Sequence, residues 1–158
     1  MIKVQKEDFD IGAELAALTG TRTDIGAVVS FTGLVRGATG PDAPADAVHS
    51  MTLEHYPAMT ERRLAELEAD ARARWPLSDV LILHRYGKLA PGERIVLVVT
   101  CSTHRQAAFD ACNYLIDWLK TEAPFWKLEE TGAGQSWVET RHADQAAAGR
   151  WSKKAETG

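Results

Sequence analysis

Cysteine is scarce in this 158-residue sequence: Cys101 and Cys112 are too few for the disulfide framework on which small secreted domains depend. Proline is scarce as well, six in all, and acts as punctuation between elements rather than as a low-complexity tract. No apolar run approaches the roughly 20 residues that span a bilayer; the longest strongly apolar stretch, Ile95 to Cys101, already contains Thr100. The N-terminus places Lys3, Lys6, Glu7, Asp8 and Asp10 where a secretion signal needs an apolar core. A large net charge is also missing: 18 Lys and Arg against 22 Asp and Glu leave −4, which argues against binding nucleic acid through bulk charge. No Walker loop, GxGxxG, GxSxG, HExxH or CxxC occurs, so NTP hydrolysis, Rossmann redox chemistry, serine hydrolysis and zinc chemistry lose their usual signatures. Together these absences predict one soluble cytoplasmic domain over residues 1–158, with buried reduced thiols, no metal and no cofactor.

What is present reads as strands and helices intermixed. Ile2 to Val4 is strand-like, and Asp8 or Asp10 can cap a short helix carrying Ile11, Leu15 and Leu18, with Gly20 suited to its end. Alternation from Ile25 to Thr32 predicts a strand covered on both faces for part of its length, running out at Gly33-Leu34-Val35-Arg36-Gly37. Residues 38–47 hold two prolines and no large apolar side chain, which predicts a mobile loop beside that arginine. His49, Met51, Leu53 and His55 share one face of the next strand, which Pro57 stops, and Leu64, Leu67, Ala71 and Trp75 stripe a helix from about Thr60 to Trp75. Val80 to Tyr86 and Arg94 to Cys101 predict a hairpin whose loop holds the Pro91-Gly92 step.

Thr103-His104-Arg105-Gln106 fits the capping-box pattern of Ser or Thr followed three residues later by Glu or Gln. The helix it opens is striped by Ala108, Cys112, Leu115 and Leu119 and widened by Phe109, Tyr114, Ile116 and Trp118, which suits a core or an oligomer interface; Lys120 closes it. Phe125 to Glu129 and Ser136 to Glu139 predict a second hairpin, a short polar helix follows around Asp144 to Trp151, and 152–158 reads as a flexible tail. Consecutive strand pairs among helices imply an α+β fold with a mostly antiparallel sheet and packed helices.

Three constellations can carry chemistry. His104 and Arg105 lie in the first turn of a helix, where unpaired N–H groups and the dipole favour phosphate or carboxylate. Lys120 and Lys127 flank a proline-broken helix end rich in aromatics, where desolvation and mutual repulsion lower an amine pKa and make a base, a nucleophile or a phosphate clamp. Arg36 ends a strand before the 38–47 loop. His49, His55 and His84 can be imagined as metal ligands, but nothing in the spacing fixes a third one. The residues alone leave open an enzyme, an anion-binding scaffold that docks a partner's C-terminal carboxylate, and a Schiff-base lysine enzyme acting on a phosphorylated carbonyl compound.

Six motifs, in order, resemble one family. They are Gly33-Leu34-Val35-Arg36, Leu53-Glu54-His55-Tyr56-Pro57-Ala58-Met59, the run from His84 to Glu93, Ser102-Thr103-His104-Arg105, the run from Lys120 to Lys127, and Trp137-Val138-Glu139. The chain resembles the large, catalytic subunit of molybdopterin synthase, with Tyr86 standing where an aliphatic residue is expected. The resemblance implies an α/β hammerhead-type fold and a homodimer that forms a heterotetramer with two small ubiquitin-like sulfur carriers. It implies sulfur transfer from the carrier's C-terminal Gly-Gly thiocarboxylate to cyclic pyranopterin monophosphate, forming the dithiolene of molybdopterin. It makes Lys120 and Lys127 the catalytic pair; the chemistry of the two anions, not the resemblance, assigns Lys120 to the thiocarboxylate and Lys127 to substrate alignment. Arg36, His104 and Arg105 then grip phosphate and pterin, while Leu34, Val35, Leu128 and Glu129 line the substrate; whether Arg141 enters a neighbouring site in the dimer is left open.

Overall fold

Three long, largely apolar strands and a short one at the N-terminus place a sheet at the centre of the chain, and the sequence around them decides which faces it hides. The structure is a computed structural model that describes residues 1–38, 40–138 and 142–152. β1 (Ile2–Gln5), β4 (Leu77–Arg85), β6 (Arg94–Ser102) and β2 (Ala27–Leu34) form one four-stranded sheet in the order β1-β4-β6-β2. β1 runs parallel to β4 while the other two pairings are antiparallel. Val80 to Leu83 and Leu97 to Val99 are completely buried because both faces of β4 and β6 are covered. Val80, Ile82 and Val98 pack against Leu64 and Leu67 of α2 (Pro57–Arg74) and Leu115 of α3 (Arg105–Glu122). Leu81, Leu83, Leu97 and Val99 pack against Phe9 and against Leu18 of α1 (Ile11–Thr19). Cys101 and Cys112 are free, buried thiols, and burial pushes both upward in pKa, Cys112 to about 11.

A second sheet, in the order β5-β3-β7-β8, is built from β5 (Gly87–Leu89), β3 (Val48–His55), β7 (Phe125–Thr131) and β8 (Gly134–Val138), all antiparallel. It has its own small core of Val35, Met51, Leu53 and Leu89. α4 (His142–Ser152) returns to the first core through Trp151, whose ring meets Trp75 and Tyr114 edge to face. Among the described residues no helix is long and apolar enough to cross a membrane.

Several local expectations hold and some shift. Asp10, not Asp8, caps α1, its carboxylate accepting from the Ala13 N–H at 2.7 Å, and Gly20 ends it. Pro57 does more than stop β3: it occupies the first turn of α2, where its missing N–H costs nothing. The β4–β6 hairpin forms, but its connection is not a plain loop, because Gly87–Leu89 crosses into the second sheet as β5. The Ala90-Pro91-Gly92-Glu93 turn then closes with Glu93 N–H donating to the Ala90 carbonyl at 3.1 Å, Gly92 supplying the required positive φ of 87°. The capping box at Thr103 does not form. His104 is the N-cap without a side-chain bond, because the Thr103 hydroxyl donates to the Asp24 carbonyl instead and Gln106 turns to Asp110. β2 is an edge strand and is not covered along its length: Val28, Phe31 and Leu34 are exposed. Thr39, Glu139, Arg141 and the tail from Lys153 onward lie outside the described residues, so the 38–47 loop is described only in part.

Candidate active site

A cavity of about 700 Å3 opens where the C-terminal end of β2, the last turns of α3 and the start of β7 meet. Each element delivers its side chain for a local reason. After β2 the chain is pinned to the Pro91-Gly92 turn, Val35 N–H donating to the Glu93 carbonyl at 2.9 Å and Gly92 N–H to the Val35 carbonyl at 2.8 Å. Val35 is thereby buried and Arg36 turns out to the cavity. Gly37 is needed next: a Cβ there would stand 2.1 Å from the Val48 carbonyl oxygen, so only glycine lets these two backbones approach.

Lys120 lies in the last turn of α3, where its cation complements the carbonyl end of the helix, and pairs with Asp144 of α4 at 3.6 Å. Pro124 then forces an extended chain, and β7 alternates so that Phe125, Lys127 and Glu129 face the cavity while Trp126 and Leu128 face away. Three cations and two carboxylates, Arg36, Lys120 and Lys127 with Glu129 and Asp144, therefore ring a wall made apolar by Phe31, Ile95, Ile116 and Leu119. Among the described residues no group of three or more His, Cys, Asp or Glu side chains is placed to hold a metal ion.

The structure thus gathers Leu34, Arg36, Lys120, Lys127 and Glu129, drawn from three elements distant in sequence. It does not bring in Val35, which belongs to the small core, or Leu128, on the opposite face of β7. Nor does it bring in His104 and Arg105. They stand exposed at the far end of α3, and the 15 residues from Arg105 to Lys120 make about 22 Å of helix at 1.5 Å per residue.

A family model described as MoaE protein matches residues 4–122. The chain belongs to the MoaE protein family. It is 54% identical over 152 residues to a molybdopterin synthase catalytic subunit from Pseudomonas aeruginosa, covering 96% of this chain and 99% of that one. Among solved structures it resembles a molybdopterin biosynthesis MoaE protein from Burkholderia ambifaria, with 47% identity, a TM-score of 0.80, and 96% and 97% of the two chains covered. A Helicobacter pylori chain from a protein–protein complex of subunits 1 and 2 of molybdopterin-converting factor shares the fold at a TM-score of 0.72 and 20% identity, over 89% of this chain and 91% of that one.

Two residues of the cavity had no such role foreshadowed by the sequence. Asp144 arrives on α4 from 24 residues beyond Lys120, and nothing in the local pattern signals the pairing. His84, imagined from sequence only as a metal ligand, is the last but one residue of β4, lines the cavity and stacks its ring on Phe125 at 3.7 Å and 14°. Tyr86, the departure from the expected aliphatic residue, packs its ring on His55 at 4.4 Å, and His55 in turn stacks on Phe125 at 5.7 Å.

Burial holds His84 neutral, with a pKa lowered to about 4; the Lys127 charge adds to this, while the bond to the Arg85 carbonyl partly opposes it. Because the folded state resists a proton that the unfolded chain takes up near pH 6.5, the stabilisation is complete above pH 6.5 and is lost as pH falls from there toward 4. Urea unfolding at a series of pH values is expected to show a loss of up to about 3 kcal/mol across that window. A His84→Gln variant, with no group to titrate there, is expected to flatten that part of the profile.

Proposed function

We propose that the chain is the catalytic subunit of a molybdopterin synthase, a sulfurtransferase that moves sulfur from the C-terminal thiocarboxylate of a small ubiquitin-like carrier to cyclic pyranopterin monophosphate. The observation that carries the reading is the convergence of Arg36, Lys120 and Lys127 on one cavity of about 700 Å3 with an apolar wall. A thiocarboxylate and a cyclic phosphate are both anions, and a heterocycle between them needs an apolar surface. Exchange of oxygen for sulfur on the substrate requires a C–S bond to form as a C–O bond breaks, a proton for the departing oxygen, and water to release the carrier as a carboxylate. Lys120 and Lys127 are the groups placed to supply that proton and to hold the anionic intermediates.

His104 and Arg105 enter this reading through a second copy. One chain holds them about 22 Å of helix away from Lys120, so one substrate can meet both sets only if a second copy brings its His104-Arg105 end to the first copy's cavity. The unpaired backbone edge of β2, with the exposed Val28 on that strand and the exposed Phe109 on α3, gives such a homodimer a strand to pair and apolar side chains to bury. A carrier on each cavity then makes a heterotetramer; the Helicobacter pylori chain that shares the fold comes from a complex of subunits 1 and 2 of its molybdopterin-converting factor.

Mass spectrometry of purified protein with the cyclic phosphate and thiocarboxylated carrier is the direct test. The expected product is a pterin with two sulfurs gained, accompanied by carrier returned as carboxylate. Binding of the carrier without turnover, equally well with a plain carboxylate terminus, would instead make the chain a docking scaffold.

A further inference from the structure

His84 is 7% exposed and is one of the residues that line the cavity. Its Nδ1 stands 2.8 Å from the Arg85 carbonyl oxygen, an atom that can only accept, so Nδ1 carries the proton. Phe125 covers one ring face and fixes the ring plane. The groups facing it, Lys127 on β7 and His55 on β3, add to burial in keeping the imidazole neutral. A neutral imidazole protonated on Nδ1 has one hydrogen-bonding atom left, Nε2, and that atom is an acceptor.

The charged groups of the cavity are differently committed. Arg36, Lys120 and Lys127 can only donate, Asp144 is paired with Lys120, and Glu129, the remaining carboxylate, is an acceptor whose negative charge repels a phosphate-bearing substrate. We propose that His84 Nε2 reads the substrate's ring, accepting a hydrogen bond from an N–H of a nitrogen heterocycle whose phosphate the cations hold. The inference rests on the preceding reading of the function and adds to it the residue that orients the heterocycle. An uncharged acceptor suits the task, since it takes an N–H without repelling the phosphate and without drawing a lysine away from it. A protonated amine, the other kind of donor, is turned away by the same three cations.

Steady-state kinetics with the cyclic phosphate and thiocarboxylated carrier, on wild type, His84→Phe and His84→Gln, test this. Phenylalanine keeps a flat ring against Phe125 but offers no acceptor; glutamine places a carbonyl oxygen where Nε2 stood. His84→Phe is expected to raise KM roughly ten- to hundred-fold with kcat near wild type, and His84→Gln to restore most of the loss. Inorganic phosphate, which probes the cations alone, is expected to bind all three proteins equally.

An unchanged KM in His84→Phe overturns the inference. A fall in kcat at constant KM with a displaced basic limb of the pH profile also overturns it, since His84 would then act through Lys127. If His84→Phe loses phosphate binding as well, its cavity has collapsed and 15N NMR of the wild type decides. Movement of the Nε2 resonance toward the hydrogen-bonded position on adding the cyclic phosphate supports the assignment, and no movement overturns it. A wild type without turnover overturns the proposed function and this inference with it, whereas an active wild type matched by His84→Phe overturns this inference alone.

Discussion

Replacing Lys120 by alanine lowers turnover by about a hundred- to a thousand-fold while leaving the protein folded. The two halves of that expectation come from different physics. Lys120 is half exposed, and its 3.6 Å pair with Asp144 is a surface ion pair worth at most about 1 kcal/mol. Its interaction with the carbonyl end of α3 is of similar size, about 0.3–1 kcal/mol. Stability therefore changes little, and thermal melts of the variant and the wild type should nearly coincide. In the proposed reaction the same ammonium is assigned to charge that appears only as sulfur attacks and oxygen departs, and removing one such group costs about 10²–10³ in rate. Single-turnover mass spectrometry of the sulfur-bearing pterin measures it. A folded Lys120→Ala protein working at the wild-type rate would remove this lysine from the reaction.

Mixing two defective chains restores activity. If a working site takes Lys120 from one copy and Arg105 from the other, Lys120→Ala and Arg105→Ala homodimers each have two damaged sites. Their mixed dimer has one site with both defects and one with neither. Random reassortment then makes half the dimers mixed, and the expected rate is roughly a quarter of wild type, far above either parent. A site built within one chain predicts no recovery, since no mixed dimer would contain an undamaged site. The experiment needs only chain exchange, by dilution or by coexpression, followed by the same product assay.

Local chemistry was legible wherever a residue acts on its own neighbours. Asp10 and Gly20 bound α1 because an N-cap carboxylate and a left-handed C-terminal glycine serve backbone groups within one turn. Lys120 and Lys127 announced themselves because Pro124 stands between them, and the break that ends a helix and starts a strand turns both toward one space. The misread points are those where a distant partner outbid a near one. Thr103 satisfies Asp24 rather than the N-terminus of its own helix, 79 residues apart in sequence. The Gly87–Leu89 segment looked like loop because three residues carry no periodicity; only β3, from a separate part of the chain, makes it a strand. His84 and Asp144 carry no local signal for the same reason, since their meaning lies in Phe125 and Lys120.

The edge strand β2 shows a further limit of one chain's sequence. Alternating apolar residues correctly predicted a strand, yet Val28, Phe31 and Leu34 remain uncovered by the chain's own elements. Periodicity reports that a face wants burial and says nothing about which molecule supplies the cover.

In the proposed dimer, α3 becomes a shared axle. Its N-terminal end serves one reaction centre and its C-terminal end serves the other, so each helix is held to a fixed length and a fixed twist at the same time. Each residue added or removed between Arg105 and Lys120 turns one end by about 100° relative to the other and moves it by about 1.5 Å, spoiling two centres with one change. Surface loops such as the one between β2 and β3 carry no such constraint. Among descendants of such a chain, loops are free to change length while the span between these two residues keeps its count.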